Sequence, residues 1–175
     1  MSGRSMRSVA LQLGLGVIVA SLTGVAVYTS GVNTVRLEDR CDPASFDAAV
    51  APGTCVKDLG TTFDEFLAEL QATGVAHHWR FKEDQFQIRA GEAVNALNIG
   101  GEVHSFTEVQ NFGGGVVPLL NDLSGAGGIV PECTALVPVL PDGTSAPKVL
   151  TTPGVHKFQC CIHPWMRSEI TVRRR

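Results

Sequence analysis

Two hydrophobic periods divide this chain. Phe63, Phe66, Leu67 and Leu70 fall at i, i+3, i+4 and i+7, which predicts an amphipathic helix over residues 62–73. Thr62 and Glu65 have the spacing of a capping box, and Gly74 supplies a stop. From Trp79 onward the period falls to two. Phe86 and Ile88 alternate with Gln85, Gln87 and Arg89, and Ala90-Gly91-Glu92 makes a turn. Val94, Leu97 and Ile99 continue a second strand into Gly100-Gly101, and residues 103–109 read as a third. Further strands are predicted over residues 134–140, 155–161 and 169–173, with turns at Pro141-Asp142-Gly143 and Pro153-Gly154. Residues 29–60 read as a tether and small extension, with turn formers at Asp42-Pro43 and Pro52-Gly53.

Several short strands punctuated by glycine and proline predict an all-β, Greek-key β-sandwich. The helix reads as an accessory laid on an apolar surface, not as the chemical site. Residues 111–131 form a long predicted loop containing Gly113-Gly114-Gly115 and Gly125-Ala126-Gly127-Gly128, a length associated with function or mobility. The triple glycine lacks the Gly-Lys-Ser/Thr ending of a phosphate loop.

The N-terminus changes the picture by fixing a compartment. Arg4 and Arg7 precede an uncharged, mostly apolar run over residues 9–28. A basic start before such a run is an export signal, long enough to serve instead as an uncleaved anchor. The division expected is residues 1–30 as signal peptide or membrane anchor, 31–76 as an extension, and 77–175 as the binding domain. Translocation would leave the domain periplasmic or at the cell surface. Charge contributes an exclusion: at net −3 over 175 residues, no basic field points to nucleic acid.

Five cysteines suit an oxidising compartment, and the odd number leaves one thiol over. Cys41 and Cys55 can staple the extension; a loop of about 15 residues is worth about 3 kcal/mol in the chain-entropy model. Cys133 then pairs with Cys160 or Cys161, and sequence alone leaves both open. Neighbouring strand residues face opposite ways, so Cys133–Cys161 with Cys160 free is the arrangement that lets Cys160 meet a metal.

The chemistry concentrates in Phe158-Gln159-Cys160-Cys161-Ile162-His163-Pro164-Trp165-Met166. A thiolate, an imidazole and a thioether within seven residues are a soft ligand set that selects copper over magnesium, calcium or manganese. A trigonal site needs a second imidazole from elsewhere, and His104 is the leading candidate. The geometry expected is His₂Cys with a long axial Met. Adjacent cysteines are the wrong spacing for a binuclear copper centre, no Cys-x-x-Cys dithiol is present, and zinc would call for more Cys/His pairs. The pair His77-His78 reads as solvated, His156 as packed or surface, and Arg173-Arg174-Arg175 as a solvated tail. Trp165 reads as an exposed apolar collar beside His163.

Phe158-x-Cys160-x-x-His163-Pro164-Trp165-Met166-Arg167 resembles the copper loop of the amicyanin-like members of the cupredoxins, the blue copper proteins. Plastocyanin has the same Cys-x-x-His but places its Met two residues later. Residues 86–106, through His104-Ser105-Phe106, are similar to the family's central strands, and Pro153-Gly154-Val155 to the turn that feeds the copper strand. Two positions depart from the pattern. Ser105 stands where the family often has Asn, and Cys161 where it often has Ser or Thr. The resemblance covers about residues 79–173 and implies a cupredoxin-like fold with one type 1 copper ion held by His104, Cys160, His163 and Met166. It also implies an electron carrier, with the electron passing through a partly exposed edge of His163. The chain is then expected to be a monomer that meets redox partner proteins transiently and is no enzyme, with membrane attachment if the N-terminal segment is uncleaved. The alternatives are a copper-delivery or copper-sensing module with the same ligands, and a metal-free interaction domain.

Overall fold

The computed structural model describes residues 32–175, so the expected signal or anchor segment lies outside the described residues. The first strand, β1 (Val32–Glu38), is one that the tether reading did not anticipate. Val35 and Leu37 point inward and are fully buried, while Thr34 and Arg36 on the other face stay in contact with solvent. Two short helices follow, α1 (Pro43–Ala49) and α2 (Phe63–Thr73). The Asp42-Pro43 pair that reads as a turn is a helix start: Asp42 accepts the Ser45 N–H as N-cap, and Pro43 takes the first helical position. For α2 the expected capping box between Thr62 and Glu65 is present, and Gly74 ends the helix at φ 75°.

Seven short strands complete the first half and middle of the chain: β2 (Arg80–Phe81), β3 (Gln85–Arg89), β4 (Glu92–Asn98), β5 (His104–Ser105), β6 (Thr107–Val109), β7 (Pro138–Val139) and β8 (Lys148–Leu150). The hairpin that closes the chain is β9 (Gly154–Gln159) with β10 (Arg167–Arg173). One mixed sheet has the order β2-β1-β4-β8, a second has β3-β10-β9-β6, and β5 pairs with β7 alone. The pairings β1–β4 and β3–β10 are parallel. Apolar faces of both large sheets enter one core: Val35, Leu37, Val94, Ala96 and Leu150 from the first, Ile88, Phe158, Ile170 and Val172 from the second. This is the expected β-sandwich, with a few short helices where one was predicted.

Three predicted elements differ in detail. Residues 103–109 are two strands, because the chain leaves β7 after Ser105 and joins β9 from Thr107. Between them the Phe106 ring stacks on Phe158 at 4.3 Å. Of the strand predicted at 134–140 only Pro138–Val139 remains; Pro131–Thr134 is a 3₁₀ turn carrying buried Cys133. The predicted loop 111–131 contains a helix, α3 (Pro118–Ser124), with Pro at its start and Gly125 in the left-handed region at its end. That segment is tied to the end of β9 and the residues that follow it. Gln159 exchanges hydrogen bonds with the Gly113 backbone, and Val116 N–H donates to Cys161 O at 2.7 Å.

The segment over residues 32–76 belongs to the same core. Phe46 of α1 and Phe66 of α2 pack with Phe63 and Trp79 in an aromatic cluster, with the Phe66 and Trp79 centroids 4.6 Å apart. Among the described residues no helix is long and apolar enough to cross a membrane.

Candidate metal centre

The strand β9 ends at Gln159, and the next seven residues turn back into β10. Two backbone hydrogen bonds close this turn, Met166 N–H to His163 O at 2.9 Å and Cys160 N–H to Met166 O at 3.0 Å. Pro164, which has no N–H to satisfy, is buried inside it. Facing the turn is β5, which presents His104. Ser105 stitches the two together: its hydroxyl accepts the Cys161 N–H at 2.7 Å, and its own N–H points at Cys160 Sγ at 3.4 Å. The residue that departs from the family pattern therefore still fastens the loop. A Cys133–Cys161 disulfide fastens it from the other side, Cys41–Cys55 staples the N-terminal segment, and Cys160 is the free thiol.

Three donor atoms converge. His104 Nδ1 lies 3.9 Å from Cys160 Sγ, His163 Nδ1 lies 3.8 Å from it, and the two nitrogens are 3.3 Å apart. All three residues are buried. One ion at about 2.0 Å from each nitrogen and about 2.3 Å from the sulfur, with donors 120° apart, would set them roughly 3.5 Å (N–N) and 3.7 Å (N–S) from one another. The observed triangle is within a few tenths of an ångström of that, so these residues fit a trigonal metal ion. Met166 is 1 % exposed and sits in the same closed turn.

Electrostatics favour a metal-binding form of the cysteine. Burial opposes the Cys160 thiolate, but His104 and His163 at its sulfur outweigh burial and hold the thiol well below its ordinary value. Burial likewise opposes charge on His104, yet the Asp39 and Cys160 hydrogen bonds raise it to about 10. Asp39 is lowered to about 2 against its own burial, by His104 and by the Gly101 and Glu102 amides. Burial pushes Glu102 above the usual carboxylate range, with the charge of His163 and the Trp79 N–H opposing it.

The outer side of the site differs from three expectations. His163 is not even a partly exposed edge; it is 2 % exposed. Phe66 of α2 meets its ring edge-on at 6.5 Å, Trp165 lies 5.5 Å away, and Glu102 Oε2 is 3.7 Å from Nε2. The helix read as an accessory is thus part of the roof over the donor cluster. Trp165 is no free collar: half-buried, it donates its Nε1–H to Trp79 O and Ala76 O at 3.1 and 3.3 Å. Periodicity gave Phe66 a buried face without saying what it faced. His77 and His78 are exposed, as expected. His156 is half-buried, with Nδ1 2.6 Å from Glu108 and Nε2 2.8 Å from Thr152 O. The residue that sequence reasoning missed is Asp39, whose only local signal is its place at the end of an alternating segment.

Fold and site together define a β-sandwich protein with a buried His-Cys-His cluster able to hold a metal ion. No protein-family profile matches the chain, and no curated protein does. Among solved structures it is similar to a purple cupredoxin from Nitrosopumilus maritimus, at 14% identity and a TM-score of 0.45, over 81% of this chain and 99% of that one. It is also similar to amicyanin, in the Cu(I) form of a mutant, at 14% identity and a TM-score of 0.38, over 54% of this chain and 73% of that one. Identities this low, with TM-scores below 0.5, leave the chemistry to be read from this chain's own residues.

Proposed function

We propose that this chain is a cupredoxin-like copper protein that carries single electrons, with one type 1 copper ion held by His104, Cys160 and His163 and weakly by Met166. The observation that carries the reading is the buried triangle of His104 Nδ1, His163 Nδ1 and Cys160 Sγ, built around the one cysteine left free by two disulfides. A copper ion there supplies a Cu(I)/Cu(II) couple.

The chain's own residues do the rest. The closed 160–166 turn, the Ser105 stitches and the Cys133–Cys161 bridge hold the donors in place without help from the ion. A site so fixed resists rearrangement when the oxidation state changes. Phe66, Trp79 and Trp165 keep water away. Burial of every donor-bearing residue favours electron transfer, which acts at a distance, over catalysis, which needs substrate contact. Copper delivery would require the roof to open. A redox partner reaches His163 only through the aromatics that cover it, in a brief contact of small area. The two disulfides support an extracytoplasmic location, as does the apolar N-terminal run, whether cleaved or kept as an anchor. The protein acts as a monomer, and its modest negative charge gives nucleic acid no purchase.

The test is Cu(II) titration of the folded, disulfide-intact protein, followed by voltammetry. One equivalent should give an intense visible thiolate-to-copper band and a reversible one-electron wave, both lost in Cys160→Ala. A colourless product, or a band that survives Cys160→Ala, would defeat the proposal.

A further inference from the structure

Asp39, the residue after β1, has a fully buried side chain. Four donors converge on its carboxylate. Oδ1 accepts the N–H groups of Gly101 at 2.9 Å and Cys41 at 3.3 Å. Oδ2 accepts the Glu102 N–H at 3.0 Å and faces His104 Nε2 at 2.8 Å. Gly100 is required for this approach, because a Cβ there would stand 1.9 Å from Oδ2. An ionised carboxylate only accepts, so the imidazole nitrogen facing it must carry a proton whether the ring is neutral or charged. His104 Nδ1 is then the nitrogen turned toward Cys160 and His163. Among the described residues His163 has no equivalent clamp: its Nε2 is 3.7 Å from Glu102, beyond hydrogen-bond distance.

We propose that Asp39 is a positioning residue of the metal centre: by accepting the Nε2–H of His104 it fixes that ring's tautomer and plane and strengthens Nδ1 as a donor. The end of β1, outside the stretch that carries the copper-loop motif, thereby supports one of the site's donors. The redox consequence rests on the copper reading above. A more basic imidazole stabilises Cu(II) over Cu(I), so Asp39 holds the potential down. Asp39→Asn keeps the shape of the side chain and removes its charge. Loss of an outer partner of this kind typically weakens metal affinity by about 10–100-fold. Where Cu(II) loses about tenfold more than Cu(I), the potential rises by about 59 mV for a one-electron couple.

Two readouts on the full chain test this. In copper-loaded protein, Asp39→Asn should raise the potential, whereas Val35→Ala, a fully buried core position of β1 itself, should lower stability and leave the potential in place. An unmoved potential in folded Asp39→Asn, or an equal rise in Val35→Ala, would overturn the proposal. In metal-free wild type, histidine ¹⁵N NMR should show a slowly exchanging His104 Nε2–H. This second readout decides the matter if Asp39→Asn fails to fold, and an unprotonated Nε2 overturns the proposal. Wild type that takes up no copper would defeat the electron-carrier reading, while the Nε2–H resonance would still uphold or overturn the role of Asp39.

Discussion

Phe66→Ala separates a roof from an ornament. Phe66 is 2 % exposed, and its ring lies 4.6 Å from Trp79, 5.6 Å from Phe46, 6.0 Å from Trp165 and 6.5 Å from His163, centroid to centroid. Truncating a buried phenylalanine to alanine costs about 3–5 kcal/mol, through lost transfer energy and the cavity left behind. The cavity would open directly over His163. Urea unfolding of the disulfide-intact, metal-free protein gives the loss. With a slope near ~2 kcal/mol/M, the midpoint should fall by about 1.5–2.5 M. Phe63→Ala, on the same helix but half-buried, should cost less. Exchange of the His163 ring C2–H with D₂O should quicken in Phe66→Ala. A loss below about 1 kcal/mol, the scale of surface substitutions, would refute the claim that α2 closes the site.

Other consequences follow from the fastenings of the loop and from one surface cluster. Replacing both Cys133 and Cys161 by serine opens a crosslink with a sequence separation of 28. The chain-entropy model puts this at about 3.6 kcal/mol, so thermal unfolding should show a large drop, and Cu(II) affinity should weaken as the turn loosens. Gly115→Ala would place a Cβ 2.0 Å from the Cys161 carbonyl oxygen, a backbone atom that cannot step aside. It should destabilise by about 1–3 kcal/mol or more and alter the copper spectrum, and an unchanged spectrum would show that the α3 segment does not brace the loop. Burial pushes Glu108 upward, but hydrogen bonds from Lys148 and His156 outweigh it, and its carboxyl is lowered overall. Its contribution is therefore present above the ordinary glutamate range and is lost as pH falls through the lowered folded value. The urea midpoint should decline with acid across that window, and the decline should be shallower in Glu108→Gln.

Short-range chemistry was the legible part. The spacing of Cys160, His163 and Met166, the capping box of α2 and the alternation in β3 and β4 each act within a few residues. His104 could be chosen because the ligand set lacked a second imidazole. What remained hidden depends on tertiary placement. The Val35 and Leu37 alternation in β1 spans a few residues, and nothing local announces its parallel pairing with β4. Without that pairing Asp39 has no visible connection to His104, 65 positions away. The buried face of α2 was readable from Phe66 and Leu70, but not that it would lie across His163. The start of α1 and both ends of α3 did carry signals, Asp42-Pro43, Pro118 and Gly125. They were masked by the equal fitness of proline and glycine for turns.

X-ray absorption at the copper edge of the stoichiometrically loaded protein addresses the central claim most directly. Two imidazole nitrogens and one short sulfur should surround the ion, and the sulfur should vanish in Cys160→Ala. A shell of nitrogen and oxygen alone, or one retaining its sulfur without Cys160, would contradict the account.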